Sequence, residues 1–139
     1  MRRGKTKGSQ LLIFPDGTLY HIDLKRGDNL PQNVLLVGAA SRVDAIAALF
    51  DKVTFMHQNR IRPEFYIKAG SYKGVPMAVM SIGIGVSNVE IAMTEFHALF
   101  EYDLASDSWA VQKPDINFIR IGTCGTTQRE IGPGSLAIS

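Results

Sequence analysis

Cysteine is almost missing from this 139-residue chain: Cys124 stands alone. One thiol excludes an internal disulfide and suits a reducing compartment, so a cytoplasmic location is expected. With one cysteine and with His21, His57 and His97 scattered, no group has metal-ligand spacing, and no metal is expected. No histidine has a serine or cysteine close by to activate, so no catalytic triad is apparent. Long apolar runs are missing too. Nothing approaches the roughly 20 residues of a membrane helix, and no apolar h-region follows the basic start, so neither a membrane partner nor a secretory signal is expected. Internal repeats and low-complexity tracts are also absent.

Charge is modest, at 20% of residues, with 15 basic against 13 acidic. Arg2, Arg3, Lys5 and Lys7 crowd the first eight residues, so the remainder is slightly acidic. Basic character is a property of the tail. Residues 1–10 therefore read as a solvated, disordered terminus and residues 11–139 as part of one α/β domain, with no nucleic-acid partner expected.

What is present alternates. Leu11–Phe14 and Thr18–Ile22 flank Asp16-Gly17 and predict a small hairpin. Val34–Val37 predicts a buried strand, followed by Gly38-Ala39-Ala40 and a helix in which Ser41 and Asp44 would form a capping box. Phe65–Ala69 and Met77–Ser81 predict two strands, paired antiparallel across Gly70 to Pro76. A longer helix is expected from about Ser87 to Tyr102, with Val89, Ala92, Met93, Phe96 and Phe100 on one face. Residues 103–115, which hold the only tryptophan, Trp109, read as a polar connection. A strand at Ile116–Ile121 and the start of another at Ser135 complete the order. Strands alternating with helices argue for an α/β fold with a mixed sheet.

Arg120 is the anomaly, a permanent cation inside an apolar run that reads as a sheet interior. Two readings are open: a structural pair with a carboxylate, or an anion site completed by Gly122, Thr123 and Gly125. Gly38 and Gly83/Gly85 also follow strands, and ligands of open α/β sheets lie at carboxyl strand ends. Arg42, in the first turn after Gly38, makes a phosphate-sized anion more plausible than Arg120 alone. Gly83-Ile84-Gly85-Val86-Ser87-Asn88 is a weak dinucleotide signal. Asn88 replaces the third glycine, and no acidic ribose partner follows about 20 residues on. Cys124 reads as a small thiol without an identifiable base.

These segments resemble the nucleoside phosphorylases, and more narrowly the uridine phosphorylase branch. The resemblance rests on Gly38-Ala39-Ala40-Ser41-Arg42, Ser81-Ile82-Gly83-Ile84-Gly85 and Phe118-Ile119-Arg120-Ile121-Gly122-Thr123-Cys124-Gly125, in that order and spacing. Tyr20-His21-Ile22-x-Leu24 and Ile131-Gly132-Pro133-Gly134 extend it.

The resemblance implies a three-layer α/β/α sandwich and a pentosyltransferase that cleaves a nucleoside with inorganic phosphate, releasing base and ribose 1-phosphate. Phosphate would be the co-substrate, with no other cofactor. Gly38, Arg42, Arg120 and Thr123 would bind it, and Arg120 and Thr123 would act in the reaction. Thr123, Cys124 and Gly125 would lie against the nucleoside. His21 would reach the ribose 5′-hydroxyl of a neighbouring subunit, so a homodimer or higher oligomer with shared sites is expected. Ala39 and Ala40 replace the family's Asp-Pro, and Pro63 takes the place of a third phosphate arginine, leaving Arg62 or Arg60 to substitute. His21, Arg60 and Arg62 are given no role within their own chain. The family's base loop lies beyond residue 139, so the chain is expected to hold the phosphate-binding part of a longer fold. The alternative is a non-catalytic α/β module that binds an anion or acts in assembly.

Overall fold

The computed structural model describes residues 11–111 and 114–138. The predicted basic tail, residues 1–10, lies outside them. Asp16-Gly17 does form a turn, with Gly17 at φ +86° and the Thr18 amide donating to Asp16 Oδ1 at 3.1 Å. The predicted hairpin around it is reduced to one bridge, Ile13 to Leu19. The chain then passes through a short 3-10 turn, Arg26–Asp28, into β1, Asn33–Val37.

After β1 comes α1, Ala40–Ala47, whose N-cap is Ala39 without a side-chain hydrogen bond. The expected Ser41/Asp44 capping box does not form, because the helix begins before Ser41 and places it inside the first turn. Asp44 instead reaches the sheet. There follow β2 (Lys52–Gln58), β3 (Phe65–Tyr72), β4 (Val75–Ile82) and α2 (Val86–Glu101). The stretch 103–115 is not a plain connection: β5 (Tyr102–Asp103) and β6 (Ser108–Trp109) form a two-stranded ribbon. Last is β7, Asn117–Ile121. Residues 135–138 carry no strand, contrary to the expectation at Ser135.

The main sheet runs β2-β3-β4-β1-β7. β2, β3 and β4 form an antiparallel meander, and β1 is parallel to both β4 and β7. Alternation of side chains divides the sheet into two dry faces. Val34, Leu36, Phe65, Ile67, Ala78, Met80 and Ile82 point to one side, where Ala92, Phe96 and Leu99 of α2 and the segment Leu19–Leu30 cover them. Val37 and Val79 point to the other, against Val43 and Ala47 of α1. Each large apolar side chain buried this way contributes about 1.5–3 kcal/mol. The result is the expected α/β architecture, a mixed sheet with a helix on each face.

Phe96 meets Phe118 edge-on, at 5.7 Å between ring centroids and 80° between planes, and so ties α2 to β7. Beyond that contact β7 is an edge. Ile119 is 60% and Ile121 44% exposed, and Arg120 is exposed as well. The expectation of a guanidinium buried in a sheet interior is therefore incorrect among the described residues. The run is apolar enough to be central, but only β1 pairs with it.

Candidate anion site at the carboxyl ends of the parallel strands

Because β4, β1 and β7 are parallel neighbours, their carboxyl ends lie side by side. Glycine follows each of them, as Gly83, Gly38 and Gly122. The two arginines explain two of these glycines. A Cβ on Gly38 would stand 3.0 Å from Arg42 Nη2 and 3.4 Å from the Gly83 carbonyl oxygen. A Cβ on Gly122 would stand 2.7 Å from Arg120 Nη1. Arg42 Nη1 donates to the Ile121 carbonyl at 3.4 Å, which carries its guanidinium across from α1 to the end of β7. Both cations thus gather at Ile121–Gly122. Neither is in an ion pair with a carboxylate among the described residues.

Gly83 and Gly85 adopt φ +70° and +111°, values that other residues reach only with strain. Gly85 caps α2 without a side chain. Asn88 donates from Nδ2 to the Ile82 carbonyl at 2.9 Å, so it closes the strand end. α1 is held in place from below: Asp44 Oδ1 accepts from Lys68 Nζ at 2.8 Å and from the Tyr66 hydroxyl at 2.9 Å. Those bonds, Lys68 first, hold the Asp44 carboxyl below the usual carboxylate range. The same contact with Asp44 raises the Lys68 ammonium.

Thr123, Cys124 and Gly125 lie in exposed chain after β7, outside any element. The remaining predicted residues form a second group. The loop after β2 enters β3 beside the carboxyl end of β4, since Phe65 pairs with Ile82, and Ser81 Oγ donates to the Glu64 carbonyl at 2.7 Å. Arg60 is exposed there. The Arg62 guanidinium stacks on the Tyr20 ring at 4.1 Å. His21 is anchored, with Nδ1 2.5 Å from Glu95 Oε1, while Asn59 Nδ2 donates to the His21 carbonyl at 2.8 Å. Arg62 and His21 therefore do have intramolecular roles, contrary to the expectation. Asp23 and His57 meet nearby at 2.9 Å.

Glu95 and Asn59 were missed in the sequence. One signal was available for Glu95: it falls in the stripe Ala92, Glu95, Phe96, Leu99, a carboxylate on the face that helical spacing buries.

Residues 33–139 match the family model described as Phosphorylase superfamily, and the chain belongs to that family. Among similar curated proteins, a uridine phosphorylase of Thermococcus kodakarensis is 36% identical over 89% of this chain and 38% of its own length. A DeoD-type purine nucleoside phosphorylase of Bacillus thuringiensis is 31% identical over 80% of this chain and 40% of its own. The chain thus spans about two-fifths of the length of the curated relatives it matches. Among solved structures, a Trypanosoma brucei nucleoside phosphorylase described as showing uridine phosphorylase activity superposes with a TM-score of 0.74, at 35% identity. That match covers 88% of this chain and 41% of the other. A uridine phosphorylase of Phytophthora capsici gives 0.73 at 28% identity, over 95% and 40%. These matches bear out the resemblance read from the glycine and arginine motifs.

Proposed function

We propose that this chain supplies the phosphate-binding part of a nucleoside phosphorylase of the uridine phosphorylase type. The observation that carries the reading is the convergence of Arg42 and Arg120, both without carboxylate partners among the described residues, on the glycine-flanked ends of β1 and β7. Two planar cations beside backbone that lacks Cβ atoms suit a tetrahedral dianion. Thr123 follows within reach of the same strand end and adds a hydroxyl donor. In the reaction, a phosphate oxygen forms a bond to the anomeric carbon of the ribose as the bond from that carbon to the base nitrogen breaks. The electron pair leaves with the base. The nucleophile is the substrate itself, so the protein's part is to hold it in line and stabilise a cationic sugar, which needs no side-chain nucleophile. That fits a chain with no triad. Arg62 or Arg60 and His21, on the loops at the same sheet end, are assigned to the site of a neighbouring subunit, His21 at the ribose.

The test is release of free base from uridine or inosine by the purified protein. Activity should require phosphate. Arg42→Ala should lower kcat/KM about 10²–10³-fold, the usual cost of removing one charge-stabilising donor. Base release that ignores phosphate, or an Arg42→Ala protein as active as the parent, would exclude the proposal. Phosphate binding with no release of base would support the non-catalytic alternative.

A further inference from the structure

Glu95, 3% exposed in the middle of α2, is a buried acid that the proposed chemistry leaves unused. All its bonds go to two successive residues of one loop. Oε1 faces His21 Nδ1 at 2.5 Å, while Oε2 accepts from the backbone amides of His21 at 3.1 Å and Ile22 at 3.0 Å. A buried carboxylate used only to fasten the loop would be satisfied by the amides. Here it also holds the imidazole. A carboxylate only accepts, so the hydrogen must sit on Nδ1. Nε2 is then left as the free pole of a side chain that stays 25% exposed, with no hydrogen-bond partner among the described residues. Asn59, itself 4% exposed, fixes the His21 carbonyl from the other side, and the Tyr20 ring stands edge-on to the imidazole at 5.0 Å. The ring is held by Glu95 and flanked by Tyr20, the residue's backbone is fixed by Asn59, and one ring nitrogen is open.

We infer that Glu95 is a positioning residue. It holds the His21 imidazole through the hydrogen on Nδ1, so that in the neutral ring Nε2 is presented as an acceptor for a hydroxyl donor. Resting on the reading that places His21 at the sugar of a neighbouring subunit, the donor is the 5′-hydroxyl of a nucleoside. A neutral acceptor at that point favours a hydroxyl over a group that can only accept. Glu95 touches no substrate. It acts by removing the other tautomer and the rotations of the ring.

Two measurements separate this inference from the function on which it rests. Long-range ¹⁵N–¹H spectra of the wild-type protein at alkaline pH, where a free imidazole is neutral, should show His21 as the Nδ1–H form. The Nε2–H form, or a mixture, overturns the inference whatever the protein catalyses. In the second measurement, kcat/KM is compared for uridine and 5′-deoxyuridine in the wild type and in Glu95→Gln. The amide can present either hydrogen-bonding end to Nδ1, so the preference for uridine should narrow by about tenfold, one hydrogen bond's worth. Turnover of 5′-deoxyuridine should be unchanged. Equal losses on both substrates would mark Glu95 as scaffold and overturn the inference. A wild-type protein with His21 in the Nδ1–H form but no preference for the 5′-hydroxyl would instead overturn the sugar assignment.

Discussion

At the scale of single residues, Arg120 has changed meaning. In the sequence its oddity was a charge within an apolar run, and burial was the basis of the argument. The fold places the guanidinium at an exposed edge, folded over Gly122, in no ion pair with an acid among the described residues. The energetic consequence is different. Replacing it as Arg120→Met removes neither a buried charge nor a salt bridge, so stability without phosphate should shift by no more than about 0.5 kcal/mol. What should disappear is the rise in melting temperature with added phosphate, which follows RT ln(1 + [L]/Kd). Melts of both proteins across a phosphate series test this. A large loss that phosphate does not affect would show that Arg120 supports the sheet and binds no ligand. Gly38, Arg42 and Arg120 were legible as a set because glycine beside arginine at strand ends is a local pattern. Glu95 and Asn59 were not, since their partners lie 74 and 38 residues away and no local pattern names a partner at that distance.

At the scale of elements, β3 was legible because it alternates and β4 because it is a nearly continuous apolar run, the two being joined by a tight turn. β2 was not. Its sequence, Lys-Val-Thr-Phe-Met-His-Gln, buries little, and its exposed Val53 and Met56 blur the alternation that marks a half-buried strand. Its register also shifts between Val53 and Phe55, so no single period runs through it. The irregularity leans on Gly70. A Cβ there would lie 1.8 Å from the Lys52 carbonyl oxygen and 3.0 Å from the Val53 Cα, both parts of the backbone. Gly70→Ala should therefore push β2 away from β3 and cost about 1–3 kcal/mol. Amide exchange should accelerate from Lys52 to Gln58 while β1 and β4 remain protected. Unchanged exchange in β2 would mean that the strand accommodates the methyl group by sliding.

At the scale of the whole molecule, the proposal that sites are shared between subunits has a direct test in hybrids. His21→Ala and Arg120→Met place their defects on opposite sides of a shared site. Unfolding and refolding the two variants together should produce heterodimers with one intact site each, raising activity toward about a quarter of wild type by random pairing. A mixture no more active than the mean of its two components would assign His21 and Arg120 to the same subunit's site, or to none. The sheet order also sets a timetable. β1 lies between β4 and β7, yet its partners are about 40 and about 80 residues away in sequence. β2, β3 and β4 pair with their neighbours in the chain. Closing long loops before any contact repays them is slow, so the meander should form early, and β1, the first of these strands in the chain, should join late. The glycine that follows β1 belongs to the candidate phosphate site, so that site should be assembled near the end of folding. Pulse-labelled amides should become protected in β3 and β4 before β1, and the reverse order would contradict this sequence of events. A nascent chain would then hold Val34–Val37, a stretch of four aliphatic residues, without either neighbour until β4 has been made, and with one bare edge until the strand at Asn117 follows.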